Sequence, residues 1–182
     1  MPSMTEFLVD IQAAELDLER DGARYPDLEF ALDYWRSKRR DRLAPPRSDI
    51  DPLEIPHILP RIMLADVVRE ASEQLEFRYR LSGTGIGEIH GSELTGRGPL
   101  DLRPAPYGAL IDANYREAVA QRRPMVHVIT LRTNQKVRSY TRIILPLSSD
   151  GKTIDMLMMV DSDSENTLRD CLETLEELGQ HG

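Results

Sequence analysis

A chain of 182 residues is long enough for one domain and an extension, and it buries enough surface to need no disulfide or metal staple. Its single cysteine, Cys171, excludes an internal disulfide framework, and no signal peptide or membrane-spanning run is visible, so a cytoplasmic protein is expected. With 23 basic against 31 acidic residues and a formal charge of −8, nucleic acid and membranes are not expected partners.

From Thr5 to about Arg20, the residues Phe7, Ile11, Ala14 and Leu18 fall at 4-3-4 spacing opposite Glu15, Asp17 and Glu19. That spacing predicts an amphipathic helix whose narrow seam packs on its own domain or on a second copy, and so nominates a homodimer contact. Gly22 and Pro26 separate it from a second helix carrying Leu28, Ala31, Leu32 and Trp35 on one side. The run Arg36-Ser37-Lys38-Arg39-Arg40-Asp41-Arg42 reads either as a patch for phosphate or an acidic partner, or as cations complementing a helix C-terminus. Pro45-Pro46 ends that region, and Asp51-Pro52-Leu53-Glu54 carries the signature of a short helix start.

Strands are predicted at Ile62–Val68 and Phe77–Leu81 across a polar loop. In the second, Phe77, Tyr79 and Leu81 alternate with Arg78 and Arg80, the period of a half-buried strand. A glycine-marked turn and a very short helix follow, with Gly83 for the exit, Thr84 as cap and Gly91 as stop. Ala109 to Gln121 reads as a longer helix with Leu110, Ile111, Tyr115, Ala118 and Val119 inward. Three strands come next, Met125–Arg132, Ser139–Leu147 and Thr153–Asp161, joined by hairpin connections. Ser162 and Ser164 can cap a last helix striped by Leu168, Cys171, Leu172, Leu175 and Leu178. Helices around a sheet-rich middle make the chain α+β, divided as a helical extension at 1–55, a core at 56–161 and a terminal helix at 162–182.

The chemical motifs are sparse. Gly83-Thr84-Gly85-Ile86-Gly87 lacks the third glycine of a dinucleotide fingerprint, since Glu88 or His90 stands there. His57, His90, His127 and His181 are scattered without metal-ligand spacing, so no metal site is expected. No Gly-x-Ser-x-Gly turn marks a nucleophile. What remains is an enclosed pocket for a small apolar ligand, for which Tyr79, His90, Tyr115 and His127 are the orienting groups. On Met125–Arg132, alternation separates Met125, His127, Ile129 and Leu131 from Val126, Val128, Thr130 and Arg132, and either set could look inward. On the last strand the drier set, Ile154, Met156, Met158 and Val160, is expected under the helices, where Met156 and Met158 can reshape around a ligand.

The Arg80-Leu81-x-Gly83-Thr84 run, with Leu94-Thr95-Gly96-Arg97 after it, resembles a family of PAS domains common in alphaproteobacteria. Tyr34-Trp35, Arg47 before Asp49-Ile50-Asp51-Pro52, and Leu145-Pro146-Leu147-Ser148 before Asp150-Gly151 match as well, over roughly Leu28 to Asp161. The resemblance implies a five-stranded antiparallel sheet with short helices over one face. It also implies a non-enzymatic sensory or interaction module, acting through dimerisation or a regulatory protein partner. Arg80, Gly83, Thr84, Gly96 and Arg97 are then motif residues that brace the short helices. Haem-binding members usually place a histidine on the long helix, and flavin-photosensing members a cysteine on the short helix after the second strand. Residues 109–121 hold no histidine and Cys171 lies on the terminal stripe, so haem and covalent flavin are both disfavoured. The alternative is a small cone-fold isomerase or dehydratase using Tyr79 and His127 as acid and base. Sheet order separates the two.

Overall fold

A computed structural model describes residues 5–72, 74–82, 94–164 and 167–180. Its strands are β1 (Leu8–Glu15), β2 (Ile62–Arg69), β3 (Leu75–Ser82), β4 (Met125–Thr133), β5 (Val137–Leu147) and β6 (Met156–Asp161). They form one sheet in the order β1-β4-β5-β6-β2-β3, with every neighbouring pair antiparallel. The helices are α1 (Leu18–Asp21), α2 (Pro26–Arg39), α3 (Ala105–Gln121) and α4 (Thr167–Gln180). Among the described residues no helix is long and apolar enough to cross a membrane.

The first segment departs from the sequence reading. Leu8–Glu15 is a strand that continues the sheet beyond β4, from Leu8 opposite Thr133 to Glu15 opposite His127, with a bulge between Leu8 and Asp10. The sheet therefore has six strands, and residues 8–15 are not helical. The free edge of β4 supplies partners for the backbone of the whole segment, a gain that outweighs a marginal helix with a narrow apolar seam. The seam is split as a result. Phe7 is 55% exposed and Ala14 is exposed, Ile11 is half-buried against the sheet, and Leu18 is buried at the start of α1. The expected homodimer contact through an N-terminal helix is withdrawn, because these four residues no longer share a surface.

Both faces of the sheet are covered. On one face α3 presents Tyr107, Ile111 and Tyr115, and α4 presents Leu172, to Met63, Tyr79, Tyr140, Arg142 and Asp161. On the other, α2 lies over Val126 and Ile143, and the Trp35 indole donates to the Pro146 carbonyl at 2.7 Å. Every residue of β6 is consequently buried, which removes the alternation that sequence reasoning uses. Met156 and Met158 lie on the α2 face, so they sit under a helix as expected, but on the opposite face from Asp161 and the groups beneath α3.

Two close approaches position the elements. The Asp27 carboxylate, at the start of α2, accepts hydrogen bonds from Arg61 Nη1 (2.8 Å), Ser162 Oγ (2.8 Å), the Asp163 N–H (2.8 Å) and Ser164 Oγ (3.2 Å). It thus ties α2 to the end of β6 and to the residue before β2. On α3, a Cβ added at Gly108 would sit 2.5 Å from the Pro99 carbonyl oxygen and 2.8 Å from that of Leu102. Backbone cannot yield as a side chain does, so Gly108→Ala is expected to cost about 2 kcal/mol in chemical denaturation. An unchanged midpoint would show that α3 does not press on that turn.

The basic run after Trp35 serves the end of α2. Lys38 pairs with Glu54 at 2.7 Å, and Arg42 pairs with Asp49 at 2.6 Å while donating to the carbonyls of Lys38 and Arg39. These contacts satisfy helix-end carbonyls that otherwise lack partners.

Candidate functional site

Four tyrosines, an arginine and an aspartate converge beneath α3. Inward positions of α3 recur every three or four residues and bring Tyr107, Ile111, Asn114 and Tyr115 onto the sheet. The Tyr79 and Tyr115 hydroxyls are 3.2 Å apart, and those of Tyr107 and Tyr140 are 2.8 Å apart. Arg142, only 3% exposed, donates from Nη2 to Asn114 Oδ1 at 3.1 Å and stacks 5.4 Å from the Tyr115 ring centre. Its Nε is buried with no hydrogen-bond partner. These groups and Asp161 enclose a void of about 20 Å³, room for one water molecule.

Register makes a transverse row across three strands, His127 on β4 opposite Arg142 on β5, and Arg142 opposite Asp161 on β6. All three are buried. Burial pushes the four phenols further above their usual value, so they remain neutral donors. Burial also works against the Arg142 charge, but the tyrosine oxygens and Asp161 outweigh it and hold the guanidinium protonated. The Asp161 carboxyl is pushed by burial up to about 6, against the pull of Arg142 and Arg61. His127 is driven down to about 4 by burial and by Arg142, and its Nδ1 has no partner. At neutral pH the row is therefore a neutral imidazole, a cation and an anion.

The expected site residues are distributed unevenly. Tyr79 and Tyr115 meet in this cluster, and His127 enters it through Arg142. Met156 and Met158 lie across the sheet. His90, Gly83 and Thr84 fall outside the described residues. Gly96 and Arg97 bracket Tyr79: the Gly96 N–H donates to the Tyr79 carbonyl, and the Tyr79 N–H donates to the Arg97 carbonyl, both at 2.8 Å. Gly96 has φ +82°, which a side chain would strain. Arg80 points outward and pairs with Asp66 at 3.1 Å. Arg142, Asp161, Tyr107, Tyr140 and Asn114 were missed by sequence reasoning. The available signal was a charge set directly against an apolar run, Arg142 before Ile143-Ile144-Leu145, and another at the end of the methionine-rich strand.

The geometry bears on the enzymatic alternative. Tyr79 and His127 sit on β3 and β4, which β2, β6 and β5 separate, so roughly 19 Å of sheet lies between their strands. They do not form an acid–base pair. Cys171 is buried on α4, and burial pushes its thiol up to about 12, which keeps it protonated. Among the described residues no three or more His, Cys, Asp or Glu side chains come together as a metal site.

An antiparallel sheet with its first core strand, β2, set between β6 and β3, and one long helix across its face is the α+β architecture of a PAS fold. The PAS domain family model matches residues 24–160, and the chain belongs to that family. Among solved structures, an RNA-binding light-oxygen-voltage receptor is similar at 17% identity and a TM-score of 0.42, over 75% of this chain and 41% of that one. The chain thus spans less than half of that receptor's length. No curated protein matches it.

Proposed function

We propose that this PAS domain is a non-enzymatic sensor whose buried tyrosine–arginine–aspartate cluster takes a small polar ligand, and whose signal leaves through α4. The observation that carries the reading is the buried Nε of Arg142, which has no hydrogen-bond partner among the described residues, on a residue that lines a void. An unmade hydrogen bond to a buried charge is costly, and an acceptor that fills the void removes that cost. Leu172 of α4 lines the same void, so a larger occupant displaces the helix that closes it. The released stripe of Leu168, Leu172 and Leu175 would then be a surface for a regulatory partner or a second copy.

Native mass spectrometry of freshly purified protein, with hydrogen exchange on α4, tests this. A retained small molecule that is lost in Arg142→Leu, with faster exchange of α4 in its presence, is the expected result. A bare polypeptide mass, together with no change in α4 exchange across a panel of small carboxylates and amides, would mark the interior as sealed and the protein as a structural adaptor.

A further inference from the structure

A second enclosure lies on the opposite face of the sheet and shares no residue with the tyrosine cluster. It is a groove of about 810 Å³ between α2, the segment after β1 and the turn from α3 into β4. Pockets of that size hold small organic ligands. Leu16, Leu18, Leu32, Trp35, Val126 and Ile143 form its apolar lining. One lip is cationic. Arg36 and Arg39 stand on successive turns of α2, and Arg122 and Arg123 leave the end of α3.

The state of these arginines decides what the groove takes. Arg123 is paired with Glu15 at 2.8 Å, and Arg36 only loosely with Asp33 at 3.6 Å. Arg39 lies 5.8 Å over the Trp35 ring and Arg122 donates to the Lys152 carbonyl. Neither of the two has a carboxylate partner among the described residues. Arg122 also holds φ +57° at the C-cap of α3, a left-handed position where glycine is the unstrained choice. The opposite lip carries Asp17, Glu19 and Arg20, with Asp17 committed to capping α1 through the Glu19 N–H and Arg20 paired with Asp21 at 3.3 Å. The groove thus has an apolar floor between charged lips, with more guanidinium than carboxylate groups along its rim.

We infer that this groove binds a small amphiphilic anion, its carboxylate or phosphate head between Arg39 and Arg122 and its apolar body along Leu32 and Trp35. An apolar chain alone would gain the floor and forgo the guanidinium pair, and an inorganic anion alone would do the reverse. The acidic lip fixes polarity, because an anionic head placed there meets Asp17 and Glu19.

Trp35 is the chain's single tryptophan, so its fluorescence reports the groove directly. Titration with decanoate and with octyl phosphate, each below its micelle concentration, is expected to shift Trp35 emission saturably, with calorimetry giving the same stoichiometry. Decanol and inorganic phosphate are expected to bind at least tenfold more weakly, and Arg122→Gly to weaken both anions about tenfold. Glycine suits the Arg122 backbone better than arginine does, so folding is not at risk in that variant. Equal binding of decanol, a non-saturating response, or full affinity in Arg122→Gly would each overturn the assignment. A response to octyl phosphate without decanoate would identify the head group as phosphate.

Discussion

Asp27→Ala is expected to melt roughly 6–12 °C below the unaltered protein, the equivalent of about 3 kcal/mol for a domain of this size. The Arg61–Asp27 pair is only 14% and 13% exposed on its two sides, so solvent screens it little. Removing the carboxylate takes the counter-charge from Arg61, which keeps the carbonyls of Asp161 and His57, and takes an acceptor from two hydroxyls and the Asp163 N–H in a partly buried junction. Alanine also lacks the side-chain oxygen that accepts from the Leu28 N–H in the first turn of α2. Burial raises the Asp27 pKa, but the Asp163, Ser162 and Arg61 hydrogen bonds outweigh it and hold the carboxyl below its usual value. With the folded pKa below the unfolded one, its contribution is complete above about pH 4 and is lost as pH falls through the lowered value. The difference between variant and parent should therefore shrink in acid. A melting difference under 2 °C at neutral pH would show that α2 is held by its apolar stripe alone.

Asp161→Asn is expected to stabilise the protein, in the opposite direction from most substitutions at buried positions. The Asp161 carboxyl titrates at about 6 when folded and near its usual 3.8 when unfolded. Below the lower value both states are protonated and nothing is gained or lost. Between the two the unfolded chain releases its proton first, so stability falls as pH rises, and above about 6 the loss is complete at about 2–3 kcal/mol. Asparagine is a permanently neutral isostere and escapes that loss. The variant should match the parent near pH 4 and melt several degrees higher at pH 7.5, measured by calorimetry at both values. An equal difference at the two pH values would show that Asp161 is already ionised at pH 4. The same proton sits beside Arg142, so ligand affinity at the tyrosine cluster should change over this pH window too.

Much of the architecture is legible in the amino-acid order because its signals are local. The stripe from Leu168 to Leu178 repeats at helical spacing and α4 forms there, with Leu168, Cys171, Leu172, Leu175 and Leu178 all buried. The three late strands follow from apolar runs divided by Thr133-Asn134-Gln135-Lys136 and Ser149-Asp150-Gly151, and β4, β5 and β6 pair in that succession. The long helix begins at Ala105 rather than Ala109, since Pro106 is tolerated in a first turn where its missing N–H has no role. That displacement kept Tyr107 out of the candidate site.

The amino-acid order alone determined the succession of core elements, the helical stripes and two of the clustered tyrosines, because each rests on periods of two or about 3.6 residues within one segment. Only the tertiary structure decided three things: that residues 8–15 extend the sheet, that Met156 and Met158 turn away from the pocket, and that Arg142 meets Asp161. The physical reason is common to all three. An open strand edge, a helix on each face and the register between neighbouring strands are properties of pairs of segments, and no single segment encodes them.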